Sequence, residues 1–258
     1  MKANGGFIGC GTLGGSIAAG LASAKEFDGE IFISEPFNKT RAEELNAKYP
    51  DKVIVVNSHE ELLEKADIVF PTILPNILHD VMSTLSFSAR HKVIHVAAGV
   101  SLAQANCYAG AGKVLRAVPL PFAARHIGPQ VLYGDDEECE KLFSLFGTLI
   151  KVPTERALEV LAVHTGMMVP YYAIVNEVVE WSQKKGMELE DARDYICAMN
   201  AALSELLVAD DIKDIKGYMV SIATAGGTNE EAHRILSERN CYAPWQTAME
   251  SIGKRYGL

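Results

Sequence analysis

Gly6-Phe7-Ile8-Gly9-Cys10-Gly11-Thr12-Leu13-Gly14 decides how this chain is read. A short apolar run breaks into G-x-G-x-x-G, and a helical pattern, Leu13–Ala24, follows at once. In that setting the three glycines do different things. Gly9 allows the tight turn, Gly11 lets a diphosphate approach the main chain, and Gly14 lets the helix pack close to the strand. The helix would present its unpaired N–H groups to the phosphates, so Thr12 and Leu13 join the three glycines as expected contacts. Glu35 ends the next strand-like run, roughly 20 residues on, where a carboxylate receives the ribose hydroxyls of a dinucleotide.

Working outward, the first ~150 residues alternate short apolar runs with helical stretches. Strands are expected at Gly6–Gly9, Glu30–Ser34, Val53–Val56, Asp67–Thr72, Lys92–Ala97, Lys113–Val118, Gln130–Tyr133 and Leu149–Val152. Helices are expected at Leu13–Ala24, Lys39–Lys48, Glu60–Lys65 and Asn76–Leu85. That alternation predicts an α/β Rossmann domain, a doubly wound parallel sheet, over residues 1–153. The last three strand runs have shorter connections and would extend the sheet. From Thr154, a plausible N-cap, the pattern becomes helical to the end, which predicts an all-helical domain over residues 154–258. Its first helix is expected to run to Gly186 with a kink at Pro170. Further helices are expected at Leu189–Ala209, Ile212–Ala223, Asn229–Arg239 and Ala243–Tyr256. The acidic run Asp135–Glu138 reads as a solvated helix start.

The rest of the composition narrows the partners. A net charge of −9 with scattered Lys and Arg gives no counterion-release drive toward nucleic acid. The five cysteines are widely spaced with no C-x-x-C, which suggests neither a disulfide framework nor a metal site and fits a reducing cytoplasm. No signal peptide and no membrane span are expected. The expected partner is a small molecule. Glu35 would repel a 2′-phosphate and so favours NAD(H); Lys39 and Arg41, a few residues on, leave NADP(H) open. Cys10 lies by a helix N-terminus, which can lower a thiol pKa, but reads as a small packing residue.

Three further blocks, with the opening Gly6–Gly11, carry a family resemblance: His95-Val96-Ala97-Ala98-Gly99-Val100-Ser101-Leu102, Arg116-Ala117-Val118-Pro119 and Thr224-Ala225-Gly226-Gly227-Thr228-Asn229. With their spacings they resemble the S-I-A-A-G-V-S-L, R-A-M-P and S-P-G-G-T-T segments of the pyrroline-5-carboxylate reductase family. The resemblance covers nearly the whole chain. It implies a Rossmann domain followed by a helical dimerisation domain, hence a homodimer or higher homo-oligomer, and hydride transfer from a nicotinamide to a cyclic imine. It places Ala97, Ala98 and Gly99, with Ile73 and Leu74 from the preceding strand end, beside the cofactor. It makes Gly226, Gly227, Thr228 and Asn229 the holder of a substrate carboxylate.

The sequence departs from that pattern on the substrate side. Leu74 stands where the family has lysine, and its P-N-T-P reads Pro119-Leu120-Pro121-Phe122 here, so the Asn and Thr are gone. Met167 and Met168 stand in a small polar loop, and Asn229 at the Thr that contacts the imine. Leu120 and Met168 are therefore substrate-pocket candidates. A C=N carbon accepts hydride best once nitrogen is protonated, so a donor is required. Asn229 and Thr228 can hydrogen-bond there, while His164 and Tyr171 can supply a proton. A β-hydroxyacid-type dehydrogenase is the competing enzyme reading, but Ala162–Tyr172 lacks the lysine it needs. A non-catalytic dinucleotide-binding protein is the third.

Overall fold

The computed structural model describes residues 2–258. The chain divides into two compact units. One runs up to Ala162 and takes in Arg255–Leu258; the other is Val163–Lys254.

The first unit is built on an eight-stranded sheet: β1 (Gly5–Ile8), β2 (Ile31–Ser34), β3 (Val53–Val55), β4 (Ile68–Pro71), β5 (Lys92–His95), β6 (Lys113–Val118), β7 (Pro129–Tyr133) and β8 (Thr148–Lys151). Their order in space is β3-β2-β1-β4-β5-β6-β7-β8. Seven helices connect or follow them: α1 (Thr12–Ser23), α2 (Thr40–Lys48), α3 (His59–Lys65), α4 (Pro75–Ser83), α5 (Leu102–Ala109), α6 (Glu137–Ser144) and α7 (Glu155–His164).

The strands are apolar on both faces because helices cover both. Phe7, Ile31, Ile33, Phe70 and Ile94 enter one buried cluster, while their neighbours Ile8, Phe32, Val69 and Val93 enter the other. That is the period-2 alternation of a strand buried twice. Phe7 and Phe70, on adjacent strands, stack with ring centroids 4.9 Å apart. Strand order reverses between β1 and β4, which opens a crevice at their carboxyl ends.

The sheet is not parallel throughout. β7 runs antiparallel to β6, and β8 is parallel to β7. The link between β6 and β7 holds only a short 3₁₀ turn, Pro121–Arg125, too brief for a crossover helix, so the chain reverses. Asp136 corrects the solvated reading of its acidic run. It caps α6 through the Glu138 and Cys139 amides and binds Lys92 at 2.7 Å and Lys113 at 3.0 Å, with its side chain 8% exposed. Burial pushes that carboxyl up, but the two lysines and the Cys139 amide prevail and hold it well below the usual range.

The second unit comprises the end of α7, α8 (Met168–Lys184), α9 (Leu189–Ala209), α10 (Ile215–Ile222), α11 (Thr228–Glu238) and α12 (Ala243–Gly253). Thr154 does cap α7, accepting the Ala157 N–H at 3.1 Å. The interruption expected at Pro170 falls earlier, in a 3₁₀ turn at Thr165–Met167. Pro170 lacks the N–H that would bond the Gly166 carbonyl, so the fault lies one turn upstream of the ring. The helical run Glu155–Lys184 is, by length and composition alone, long and apolar enough to cross a membrane, a test that the core helix of a soluble protein also passes. Among the described residues, the buried apolar cluster of the second unit is Val179, Ala192 and Ile196, with Val175 packed against it.

Candidate active site

The turn after β1 has the geometry its glycines predict. Gly9 has φ +92°, and a Cβ there would sit 2.8 Å from Ile73 Cγ2. At Gly14 a Cβ would overlap Thr72 Oγ1 and lie 2.9 Å from the Gly9 carbonyl oxygen. The helix thus packs on the β4–α4 link as well as on its own strand. Gly11, the extended N-cap of α1, has no neighbour within 4 Å of a built Cβ, so the cradle is open there. A diphosphate fits this surface: bare main chain, a free helix N-terminus, and no side chain in the way.

Glu35 is fixed at the mouth of that turn. Its Oε2 accepts the Cys10 N–H at 2.9 Å, and its Oε1 accepts those of Phe37 at 3.1 Å and Asn38 at 3.4 Å. A cleft of about 410 Å³ opens here, lined by Cys10, Gly11, Thr12, Glu35, Asn38, Thr40, Arg41 and Glu44. Arg41 therefore does reach this cleft, whereas Lys39 is not among its lining residues. The Arg41 side chain crosses α1 at Gly15, where a Cβ would meet its Cδ at 2.5 Å. Asn38, Thr40 and Glu44 had no sequence signal beyond lying just after Glu35. Cys10 is buried, and burial first, then the Glu35 charge, pushes its thiol up to about 11.

The other residues expected beside the cofactor share one edge of the sheet. Ile73 and Leu74 follow β4, and Ala97, Ala98 and Gly99 follow β5. Leu74 is the N-cap of α4 and is exposed, as are Ala98 and Gly99, while Ala97 is buried. Leu120 follows β6 and is half-buried.

The other candidates belong to the second unit and lie on different helices. His164 ends α7, Met168 opens α8, and Tyr171 lies in the first turn of α8. The Tyr171 ring packs edge-on against Tyr172, and its hydroxyl accepts from Asn200 Nδ2 at 3.5 Å. Gly226 (φ +70°) and the N-cap Gly227 turn the chain into α11, which starts with Thr228 and Asn229. The Gly226 N–H donates to Glu230 Oε2 at 2.6 Å, so an internal carboxylate already occupies it. Beside this turn a groove of about 520 Å³ is lined by Lys216, Met219, Val220, Ile222, Ala223, Asn229, Glu230 and His233.

Glycine cradle, a carboxylate fixed at its mouth and reversed strand order together define a dinucleotide-binding fold of the Rossmann class. Comparisons with known proteins agree. Residues 5–99 match the family model described as NADP oxidoreductase, coenzyme F420-dependent. The chain is 27% identical to pyrroline-5-carboxylate reductase of Escherichia coli (strain K12), over 95% of this chain and 93% of that one. In fold it is similar to 1-pyrroline-5-carboxylate reductase of Streptococcus pyogenes, with a TM-score of 0.84, 21% identity and coverage of 100% and 99%. It is likewise similar to Plasmodium falciparum pyrroline carboxylate reductase with NADP bound, with a TM-score of 0.82, 16% identity and coverage of 99% and 97%. Over nearly its whole length, then, the chain is similar to pyrroline-5-carboxylate reductases in sequence and in fold.

Proposed function

We propose that this protein is a nicotinamide-dependent reductase of the C=N bond of a small cyclic imine, of the pyrroline-5-carboxylate reductase type, working as a homodimer or larger homo-oligomer. The carrying observation is the Glu35-locked glycine turn of the first unit, joined to a whole-length likeness to enzymes of that name. The nicotinamide, when bound, supplies the hydride. Gly9, Gly11, Thr12, Leu13 and Gly14 hold the diphosphate, and Glu35 the adenosine ribose. Ile73, Leu74, Ala97, Ala98 and Gly99 line the nicotinamide end, at the carboxyl ends of β4 and β5.

Glu35 favours NAD(H). Three main-chain N–H groups hold its carboxylate in the cleft, so it cannot turn away from a 2′-phosphate without leaving them unpaired. Arg41 is the one guanidinium lining the cleft that could offset it.

Gly226, Gly227, Thr228 and Asn229 form the substrate-side turn, with Leu120 and Met168 as apolar walls. Asn229 and Thr228 hydrogen-bond the imine region, and His164 or Tyr171 delivers the proton taken up by nitrogen. The apolar replacements at Leu74, Leu120 and Phe122 suit a ring less polar than the family's usual one. Exposed apolar side chains on the helical unit support self-association: Val169 is 75% exposed, Trp181 61% and Val208 82%.

Turnover tests the reading. Purified protein is given NADH or NADPH with pyrroline-5-carboxylate and a panel of cyclic imines with and without a carboxylate. Oxidation of the dinucleotide coupled to amine formation is expected; tight cofactor binding with no turnover on any imine would reduce the protein to a dinucleotide binder.

A further inference from the structure

The six residues that link β5 to α5, Val96–Ser101, turn at Gly99, whose φ is +74°. Two side chains tether that link, His95, which is buried, and Glu155, which is half-buried. His95 Nε2 lies 3.3 Å from the Val100 carbonyl oxygen, which can only accept. Nε2 therefore carries the proton, and Nδ1 is left to accept from the Tyr108 hydroxyl at 3.5 Å. At the far end of the link, Glu155 Oε1 accepts the Leu102 N–H at 2.6 Å.

Glu155 is itself held from behind. The Arg116 side chain, 4% exposed, pairs with Glu155 and, at 3.2 Å, with Glu159. Arg116 sits on β6 directly opposite His95 on β5. One buried guanidinium thus fixes the first two turns of α7, and through Glu155 it fixes the N-terminus of α5. Ser101 and Gln104 close a capping box at the same point. A loop needs no such bracing merely to pass from strand to helix. Between its tethers it leaves Ala98 and Gly99 exposed at the carboxyl edge of the sheet.

We infer that Glu155 and His95 are positioning residues for the nicotinamide half of the cofactor pocket, holding the Ala98–Gly99 main chain where the ring rests. This rests on the reading that the dinucleotide spans the switch between β1 and β4, with its nicotinamide end over β4 and β5. Glu159 shares Arg116 but does not touch the link, so it serves as the internal control.

The experiment compares binding of NADH with that of ADP-ribose, which lacks the nicotinamide. NADPH and 2′-phospho-ADP-ribose are run in parallel. Glu155→Ala is expected to leave ADP-ribose affinity within about twofold, as for a site remote from the change. NADH affinity and kcat should each fall about tenfold or more, the scale of a slightly misplaced reacting surface. Glu155→Gln retains an acceptor for Leu102 and should recover most of the NADH affinity. It also replaces the alanine variant should that one fail to fold. Glu159→Ala should lower the Tm without separating the two ligands. Equal losses of NADH and ADP-ribose affinity in a Glu155 variant, or the same NADH loss in Glu159→Ala, would overturn the inference. So would a Glu155→Gln protein as weak for NADH as the alanine one. Wild-type protein that binds neither ligand would instead overturn the cofactor reading on which the inference stands.

Discussion

The Cys10 main-chain N–H donates to Glu35 Oε2 at 2.9 Å, so the second residue of the glycine turn and the acid that follows β2 form one rigid corner. A 2′-phosphate entering that corner meets a fixed carboxylate, at a cost of about 1–4 kcal/mol at ~4 Å depending on screening. Glu35→Ser should raise the NADPH-to-NADH ratio of kcat/KM by about tenfold or more. An unchanged ratio in steady-state kinetics would place the ribose elsewhere.

Gly14 has no room for a side chain. Its Cβ would overlap Thr72 Oγ1 and press on the Gly9 carbonyl, which is main chain and cannot step aside. Gly14→Ala should destabilise the fold by about 1–3 kcal/mol, the range for overpacking. It should also weaken cofactor binding, because Gly9 is displaced with it. Chemical denaturation and calorimetric titration read the two effects separately.

His95 makes stability depend on pH. Burial, then the neighbouring Arg116 charge, lowers its pKa from 6.5 to about 4. Below about 6.5 the unfolded chain takes up a proton that the folded His95 refuses until about pH 4. Its contribution is therefore complete above pH 6.5 and lost on acidification to pH 4, a fall of about 3 kcal/mol at most. His59, whose pKa burial also lowers, adds to the same slope. His95→Ser should flatten the unfolding free energy between pH 6.5 and 4; an identical slope in wild type and variant would show that His95 titrates normally.

The Gly226 N–H is already bonded to Glu230, so a substrate carboxylate arriving at this turn must displace another acid. Glu230→Gln should lower KM for pyrroline-5-carboxylate about two- to fivefold, the scale of one exposed charge. KM for a ring without a carboxylate should hardly change. Equal shifts for both would mean the substrate's acid does not visit the turn.

Asn229→Ala probes the same turn from the other side. Turnover should drop while the Kd for NADH holds, because α11 belongs to the unit without the glycine cradle. Collapse of cofactor binding would assign Asn229 to the other ligand.

Much of the first unit is legible in the sequence because its strands are buried twice and announce themselves as apolar runs. The Lys113–Val118 strand and the Leu189–Ala209 helix have the bounds expected of them to the residue. Helix α5 gives no such signal because its covered face is Ala105, Tyr108 and Ala109, two of them too small to raise a periodic pattern. The direction of β7 is illegible for a different reason: an apolar run looks the same in either orientation, and only the short link decides it. At the site, glycine spacing and Glu35 can be read from sequence because main-chain geometry dictates them. Arg116 with Glu155 and Glu159 cannot, since the partners lie about forty residues apart and a buried ion pair leaves no periodic trace.

The sulfur inside the glycine turn has a practical corollary. With its proton held up to about pH 11, Cys10 is a poor nucleophile, and electrophilic labels should spare it. Iodoacetamide ought to mark Cys107, Cys197 and Cys241, which face solvent, well before it reaches the buried thiol of Cys10. Covalent inactivation by such reagents would thus arise by blocking surfaces elsewhere, and cofactor binding should survive it.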